Sequence, residues 1–143
     1  MAAYDEFLAG NRPNDIALYF ANSFLDNPEN LSDYGVSVAN GVILIVDGST
    51  GRSIFNEVTG MQPMQFAQRA MQTSGSIESS LTSAECPNST ASNNHFIKFL
   101  FAFVEEEKNN IDGIYDQGDV MHVYAFCSCD TAFSDRWVIN KAS

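Results

Sequence analysis

The feature that most constrains the fold is the segment 96–104, in which large apolar side chains recur at every second position. Alternate residues of a β-strand face the same side of a sheet. The segment therefore predicts a strand whose core-facing side chains are Ile97, Phe99, Phe101 and Phe103. Residues 119–129 and 133–140 predict two more strands. The short connection at Asp130 and Thr131 predicts that these two strands are antiparallel neighbours.

Other segments predict a further strand and several helices. Val42–Val46 is a continuous run of apolar, mostly β-branched residues, which is typical of a strand buried on both faces. After Pro13, apolar side chains recur at spacings of three and four as far as Phe24, which predicts a helix. A short helical segment is expected at residues 4–8 and a longer one at 63–72, where Met64, Phe66, Ala67 and Met71 are available for packing.

The remaining segments read as connections. Residues 29–41 are polar and rich in turn-forming residues, so they predict a loop. Residues 47–51 predict a turn, and residues 52–58 fit either a returning strand or a helical turn. Residues 73–94 contain many Ser, Thr and Asn and few large apolar residues. They predict a flexible internal loop, with one helical turn around residues 77–81.

These elements predict an α+β fold in which two or three helices pack on a mainly antiparallel sheet of four or five strands. The alternative is a three-layer α/β sandwich, with the strand at residues 42–46 in the centre and parallel to a neighbour. A length of 143 residues suits a single domain spanning residues 1–143. The expected element order is helix, strand, possible second strand, helix and then three strands.

The charge balance limits the classes of partner. Eighteen acidic residues against seven basic ones give a net charge of −11, and only three of the basic residues are Lys. A duplex-binding domain needs clustered cations, and an anionic membrane surface would repel this chain. We therefore expect neither nucleic acid nor membrane as a partner. The N-terminus lacks the pattern of a secretory signal, so the expected location is a cytoplasm, and the acidity suits one at high salt.

The cysteines suggest a metal site. Cys127 and Cys129 lie two residues apart in a predicted strand, which would place both on the same face. Cys86 could reach them from the 73–94 loop, and His95 could complete a tetrahedral zinc site. His122 is the poorer fourth ligand because strand parity places it on the face opposite Cys127. The alternative is that the three Cys are reduced thiols that behave as small apolar residues.

A second candidate site follows the buried strand at residues 42–46. The backbone amides of Gly48, Ser49, Thr50 and Gly51 could hold an anion, and Arg52 would add a cation. The segment has neither the spacing nor the Lys of a phosphate-binding P-loop. A simple turn is the alternative interpretation, and it is the better supported one.

No catalytic arrangement emerges from the sequence. The acidic residues between 105 and 119 lack the spacing of a calcium loop, and no Gly-x-Ser-x-Gly sequence is present. The preferred function is therefore a small acidic intracellular module that binds a partner protein or a small ligand, or that regulates another protein. The alternatives are a zinc-stabilised accessory protein and an enzyme whose site the sequence does not reveal.

Five short strings resemble an uncharacterised family of proteins from halophilic archaea, known as a domain of unknown function. The strings are EFLAG at residues 6–10, FAFVEE at 101–106, GDVMH at 118–122, CSC at 127–129 and SDRWV at 134–138. The resemblance runs over nearly the whole chain and implies a haloarchaeal cytoplasm. It implies no activity.

Overall fold

The computed structural model describes residues 2–12, 14–22, 35–38, 41–78, 81, 84–85, 96–105 and 120–139. Within these residues the chain forms three helices and eight strands. The helices are α1 (Ala2–Leu8), α2 (Gly48–Thr59) and α3 (Pro63–Ala70). The strands are β1 (Asp15–Ala21), β2 (Gly35–Val38), β3 (Gly41–Asp47), β4 (Ser76–Ile77), β5 (Ala84–Glu85), β6 (Ile97–Glu105), β7 (Val120–Cys127) and β8 (Ala132–Val138).

Six of the described strands form one sheet in the order β2-β3-β1-β6-β7-β8, and every neighbouring pair is antiparallel. The α+β class is confirmed. The strand expected at residues 42–46 is present as β3, and the strands expected at 119–129 and 133–140 form the hairpin β7–β8. The alternative with a parallel neighbour for β3 is wrong, because both of its partners run in the opposite direction.

β1 corrects the helix expected between Pro13 and Phe24. Its residues are almost all buried because β1 lies inside the sheet, with Ile16 on one face and Ala17 and Tyr19 on the other. A strand covered on both faces needs no polar positions, so it shows no alternation. Apolar residues then occur at spacings of three and four by default, which imitates a helix. Residues 23 and 24 lie outside the described part of the chain.

The prediction of a loop at residues 29–41 is also wrong in part. Gly35–Val38 form β2, which pairs with β3 and adds a strand to the sheet. The sequence of this segment gave little sign of a strand, because a Gly, a Ser and two Val are too few for a pattern. Pairing with β3 supplies the backbone hydrogen bonds that make so short a strand stable.

α2 and α3 cover one face of the sheet. The turn expected at residues 47–51 and the undecided segment 52–58 are one continuous helix, α2, which ends at Gly60 with a positive φ of 74°. Its Phe55 is completely buried and contacts the rings of Phe99 and Phe101 edge-on, with centroid distances of 5.4 and 5.6 Å. The helix expected at residues 63–72 is confirmed as α3, which buries Phe66.

Two side chains of the α3 region do not pack as expected. Met64 and Met71 are 71% and 58% exposed. Met64 lies on the outer side of the helical layer, and Met71 lies beyond the end of α3.

Among the described residues, no helix has the length and apolar character that crossing a membrane requires.

A β-bulge corrects the expected face of β6. Phe99, Phe101 and Phe103 share one face as predicted, but Ile97 belongs to the core on the opposite face. The pairing with β7 shifts between Ile97 and Phe99, so one extra residue is present at Lys98. An extra residue in one strand reverses the facing of everything beyond it.

The opposite face of the sheet is covered by α1 and by part of the segment expected as a loop. Phe7 of α1 is completely buried there. In the 73–94 segment, β4 and β5 pair with each other, the Ile77 amide donates to the Asp135 carboxylate at 3.0 Å, and Leu81 is completely buried. The helical turn expected around residues 77–81 is wrong at Ile77, which lies in β4. The flexibility of the segment stays a prediction.

Candidate functional site

Side chains on the helix-covered face form rows that cross β6, β7 and β8. One row contains Phe99, Phe126 and Ala132, and the helices α2 and α3 lie above it. We call this row, together with Phe55 and Phe66 above it, the covered end. Further along the same strands, exposure increases from the half-buried Phe103 and His122 to the exposed Arg136.

The more exposed part of this face has a different composition. Phe103, His122 and Arg136 are in register across the three strands, and Tyr124 and Ser134 lie in the row behind them. We call these five residues the open end. Alternation along each strand places all five side chains on the same face as the covered end. The sheet therefore carries rings and polar groups at the place where the helical layer gives way to a depression.

A cleft of about 940 Å³ lies over the open end. Ligand pockets in proteins usually have volumes of about 300–1,000 Å³, so the cleft is large enough for a small molecule. β6, β7 and β8 form its floor, and the segments that precede β1 and follow α3 form its walls. The described lining residues are 103–105, His122, Tyr124, 134–136, Asn14, Met71 and Ser74.

The floor of the cleft contains three nearly parallel rings. The Phe103 and His122 rings have centroids 5.1 Å apart and planes 21° apart, and the Phe103 and Tyr124 rings have centroids 6.0 Å apart and planes 29° apart. Nearly parallel rings this close together stack against each other, so they do not form one flat surface. Tyr124 is 5% exposed and joins this stack to the core.

His122 is held by a carboxylate within the cleft. Its Nε2 lies 2.9 Å from Oε1 of Glu105, and the two side chains are 15% and 33% exposed. A carboxylate at this distance fixes the orientation of an imidazole ring, as it does in many catalytic and ligand-binding sites. The pair can therefore hold the stacked arrangement of the Phe103 and His122 rings.

The cations of the described chain differ in what they contact. Arg12 bonds to two carboxylates at 2.8 and 3.0 Å, and Lys98 bonds to Asp130 at 2.9 Å. Arg69 donates to the Asp130 carbonyl at 3.1 Å. Arg136 is exposed, lines the cleft and has no ion pair within the described part of the chain. It is therefore the cation placed to meet a ligand in the cleft.

The segment predicted as an anion site lies at the start of α2. Asp47 caps this helix: its Oδ2 accepts from the Thr50 amide at 3.1 Å and its Oδ1 accepts from the Thr50 hydroxyl at 2.6 Å. These hydrogen bonds hold the pKa of Asp47 below its usual value. Gly51 is buried because α2 approaches the side chain of Ile16 there. An external anion would compete with the Asp47 carboxylate for the Thr50 amide. The anion site stays a prediction.

The zinc ligands predicted from the sequence are only partly described. Cys127 is completely buried at the end of β7, and Cys129 is exposed in the following turn, where its Sγ lies 3.1 Å from the Thr131 hydroxyl. The expectation that these two Cys share a strand face is wrong, because the strand ends at Cys127. Cys86 and His95 lie outside the described residues.

Metal binding elsewhere has no support from the described side chains. No three His, Cys, Asp or Glu side chains in the described ranges come close enough together to hold a metal ion. The parity argument about His122 is confirmed, since His122 faces the cleft while Cys127 belongs to the opposite core. The zinc site itself stays a prediction.

The cleft residues were not identified as a group from the sequence, although one signal was available. The short hairpin at residues 128–131 pairs Phe126 with Ala132 and hence His122 with Arg136. Reading that register would have placed an imidazole and a guanidinium side by side on the face predicted to be apolar. Two polar side chains next to each other on such a face indicate a site rather than a core.

Comparison with known proteins gives one match. No curated protein and no solved structure matches the chain. A family model described as a family of unknown function matches residues 35–140, which include β6, β7, β8 and most of the described lining of the cleft. The match covers well over half of the chain, and the chain therefore belongs to this family of unknown function, DUF5807.

Proposed function

We propose that the chain is a small intracellular binding module whose cleft at the open end holds one small molecule. The observation that carries the proposal is the cleft of about 940 Å³, in which stacked aromatic side chains adjoin Arg136, a cation with no ion pair among the described residues. Binding pockets commonly combine an apolar surface with a few converging polar groups. The cleft has this composition, with Phe103 and Tyr124 as the apolar part and His122 and Arg136 as the polar part.

A ligand screen tests the proposal. A molecule that binds only the folded state at about ten times its Kd adds about 1.4 kcal/mol of stability, which raises the Tm of a domain of this size by about 3–5 °C. The panel should contain neutral, anionic and cationic molecules, both aromatic and aliphatic. We expect at least one chemical class to raise the Tm of the wild-type protein.

A pair of variants locates the binding. Ser134→Trp places a large ring in the cleft and should abolish the rise in Tm. Gln68→Trp introduces the same ring at an exposed position of α3 that does not line the cleft, and it should preserve the rise. A panel that leaves the Tm unchanged, or a ligand that stabilises both variants equally, would contradict a binding function for the cleft.

An enzyme is the second candidate function, because the Glu105–His122 pair resembles the carboxylate-oriented base of many hydrolytic sites. The nearest hydroxyl of the lining on β8 is that of Ser134, which donates to the Thr73 carbonyl at 3.5 Å. This contact directs the hydroxyl away from a nucleophilic role. Replacing His122 with Gln separates the two functions, since it would abolish turnover but would only weaken binding.

The proposed location is the cytoplasm of a halophile. A net charge of −11 on 143 residues supports it, because repulsion between surface charges is screened to within about 3 Å at 1 M salt but to only about 10 Å at 0.1 M. The Tm should therefore rise between about 0.1 M and about 2 M potassium chloride. A Tm that stays constant or falls over this range would remove the support that composition gives to the halophile proposal.

A further inference from the structure

The outward face of α3 carries the two most exposed large apolar side chains of the described chain. Met64 is 71% exposed and Met71 is 58% exposed. They are seven residues apart, so they lie on the same stripe of the helix, separated by about 10.5 Å along its axis. Phe66 and Ala70 are buried on the other side of α3, where the helix packs on the sheet. Packing within the fold therefore does not account for the two Met.

The segment that contains α3 is free of negative charge. No Asp or Glu occurs between Glu57 and Glu78, which is the longest such stretch in a chain with eighteen acidic residues. The exposed neighbours of the two Met on α3 include the neutral side chains of Gln65 and Gln68, and the charge of the helix itself is that of Arg69. A second strongly acidic molecule can therefore approach this helix with little repulsion from the helix itself.

The stripe is complementary to itself. In two copies of α3 packed antiparallel about a two-fold axis between Ala67 and Gln68, Met64 of each copy faces the partner's Met71. The small side chain of Ala67 lets the helices approach to about 8 Å. The amide of Gln68 both donates and accepts, so the two copies of this side chain can bond to each other across the axis. Such an interface uses the same patch on both copies and closes at two.

We propose that α3 is the contact surface of a homodimer, in which two copies of the chain pack antiparallel with Met64 of each on Met71 of the other. Thioether side chains are flexible, so they fill such a contact without a preformed groove. Met71 also lines the cleft, and the partner's Met64 therefore lies beside the cleft. The proposal stands independently of whether the cleft binds a ligand.

The size of the contact sets its strength. α3 has eight residues and is about 12 Å long, so its outer face buries less than the about 1,200–2,000 Å² of a standard interface. The dimer is therefore weak, with a Kd on the order of 0.1 mM at high salt. At the micromolar concentrations of a melting scan the chain is monomeric, and the Gln68→Trp control for the cleft is unaffected.

Salt should strengthen this contact. Each copy has a net charge of −11, so the rest of the two molecules repel each other, and the range of that repulsion falls from about 10 Å at 0.1 M salt to about 3 Å at 1 M. An interface held by ion pairs would weaken over the same range. Sedimentation equilibrium of the full chain should show a Kd that is at least about tenfold lower at 2 M than at 0.1 M potassium chloride.

Substitutions in the stripe test its position. Met64→Gln and Met71→Gln keep the length of the side chain, and each should raise the Kd at 2 M salt about tenfold or more, because a symmetric dimer loses two contacts at once. Phe96→Gln is the control: Phe96 is also exposed, at 47%, but it precedes β6 and lies outside α3. It should leave the Kd unchanged within about twofold. The Tm of the dilute proteins should change by less than about 2 °C in all three variants, since the replaced side chains are exposed.

Cross-linking tests the antiparallel register. Met64→Cys and Met71→Cys are made separately in a background with Cys86→Ser and Cys129→Ser, mixed at high concentration and salt, and oxidised. A disulfide needs the two Cα atoms to lie within about 7 Å, which the proposed register provides only between position 64 of one copy and position 71 of the other. The mixed disulfide should exceed each of the two homodimeric disulfides at least about fivefold.

Four results would overturn the proposal. The first is a chain that stays monomeric up to about 1 mM at 2 M potassium chloride. The second is a dimer that Met64→Gln and Met71→Gln do not weaken, or that Phe96→Gln weakens equally. The third is a predominance of disulfides between identical positions, and the fourth is assembly beyond two copies. None of these results bears on the ligand screen, which decides separately whether the cleft binds a small molecule.

Discussion

The covered end and the open end of the sheet face are built from the same strands, yet they have opposite properties. At the covered end Phe99 and Phe126 stack at 5.0 Å beneath Phe66, whose ring lies 5.2 Å from Phe99. At the open end Phe103 stacks on His122 at a similar distance, 5.1 Å, and a cleft lies above the pair. Ring stacking within the sheet therefore does not distinguish core from site. The helical layer above it does.

Cations lie close to aromatic rings at both ends, but they differ in the hydrogen bonds and ion pairs that they make with described residues. At the covered end the side chains of Arg69 and Lys98 lie 5.4 and 5.5 Å from the centre of the Phe126 ring, and both also bond to Asp130. At the open end Arg136 has no carboxylate bonded to it among the described residues. The contrast teaches that a cation beside rings supports the fold where its charge is satisfied, and suits ligand binding where it is not.

The largest expected difference between the two ends comes from matched substitutions in β6. Phe99→Ala should lower the free energy of unfolding by about 3–5 kcal/mol, because it leaves a cavity between α2, α3 and the sheet. Phe103→Ala removes the same atoms from the same strand and face, but Phe103 is only half-buried. It should cost about 1 kcal/mol. Urea denaturation of both variants measures the difference.

Similar losses of unfolding free energy in the two variants would contradict the contrast between the two ends. An equally large loss for Phe103→Ala would mean that the open end is part of the core and that the cleft is closed in solution. An equally small loss for Phe99→Ala would mean that the helices are not firmly packed on the sheet. The slope of the denaturation curve should stay unchanged in both variants, which confirms that both unfold in one step.

Gly51 tests how closely the helical layer approaches the sheet. A Cβ at this position would overlap the Ile16 side chain. Gly51→Ala should therefore cost about 1–3 kcal/mol through overpacking, although Ala usually stabilises a helix relative to Gly by about 0.5–1 kcal/mol. In an Ile16→Ala background the same substitution should cost little, because the overlapping atoms are gone.

A control within the same helix makes this test specific. Gly48→Ala also adds one methyl group to α2, but its closest neighbour is the flexible end of Arg52, at 3.1 Å, and the backbone lies at an ordinary contact distance of 3.9 Å. It should change the free energy of unfolding by less than about 0.5 kcal/mol. If Gly51→Ala costs no more than Gly48→Ala, the helix does not lie as close to β1 as the structure shows.

The sequence predicted the strands at the C-terminal third because their signals are local. Alternation over residues 96–104 and the short hairpin after Cys127 depend only on neighbouring residues, and β6, β7 and β8 confirm them. β1 was predicted wrongly because its burial on both faces depends on β3 and β6, which are distant in sequence. The bulge at Lys98 places Ile97 on the opposite face. The alternation of apolar residues in the strand does not predict this bulge.

The Glu105–His122 pair should matter little for stability if the open end is a site. Glu105→Gln breaks an ion pair or a hydrogen bond between partly buried side chains at the edge of the cleft, and we expect it to contribute about 1 kcal/mol. We expect a small decrease in the denaturation midpoint together with weaker ligand binding. Glu85→Gln, an exposed carboxylate of β5, controls for the loss of one negative charge.

A decrease of more than about 2 kcal/mol in the free energy of unfolding for Glu105→Gln would assign the pair to the core and would end the contrast between the two ends.

The candidate site was harder to predict than the fold for the same reason that this test is needed. Phe103 and His122 look like ordinary strand residues in the sequence, and only the limit of the helical layer exposes them. Where a helix stops covering a sheet is decided by packing between distant segments.

The smallest expected effect concerns the residue at which the helical layer begins. Asp47 caps α2, and the hydrogen bonds that it accepts from the Thr50 side chain and the Thr50 amide lower its pKa in the folded state. Because the folded pKa lies below that of the unfolded chain, near 3.9, the stabilisation by the carboxylate is fully present above that value. It is lost as the pH falls through the folded pKa. Asp47→Asn keeps a capping oxygen but does not titrate. The wild-type protein should therefore be slightly more stable than this variant at pH 7 and should lose that advantage below about pH 4.

Measuring the Tm of both proteins from pH 7 to pH 3 tests this, because the charges shared by the two proteins largely cancel in the difference. A difference that is constant with pH would mean that the carboxylate does not cap α2 in solution. The start of the covering helix would then be less firmly fixed than the strands beneath it, and the boundary between the covered end and the open end would lose one of its supports.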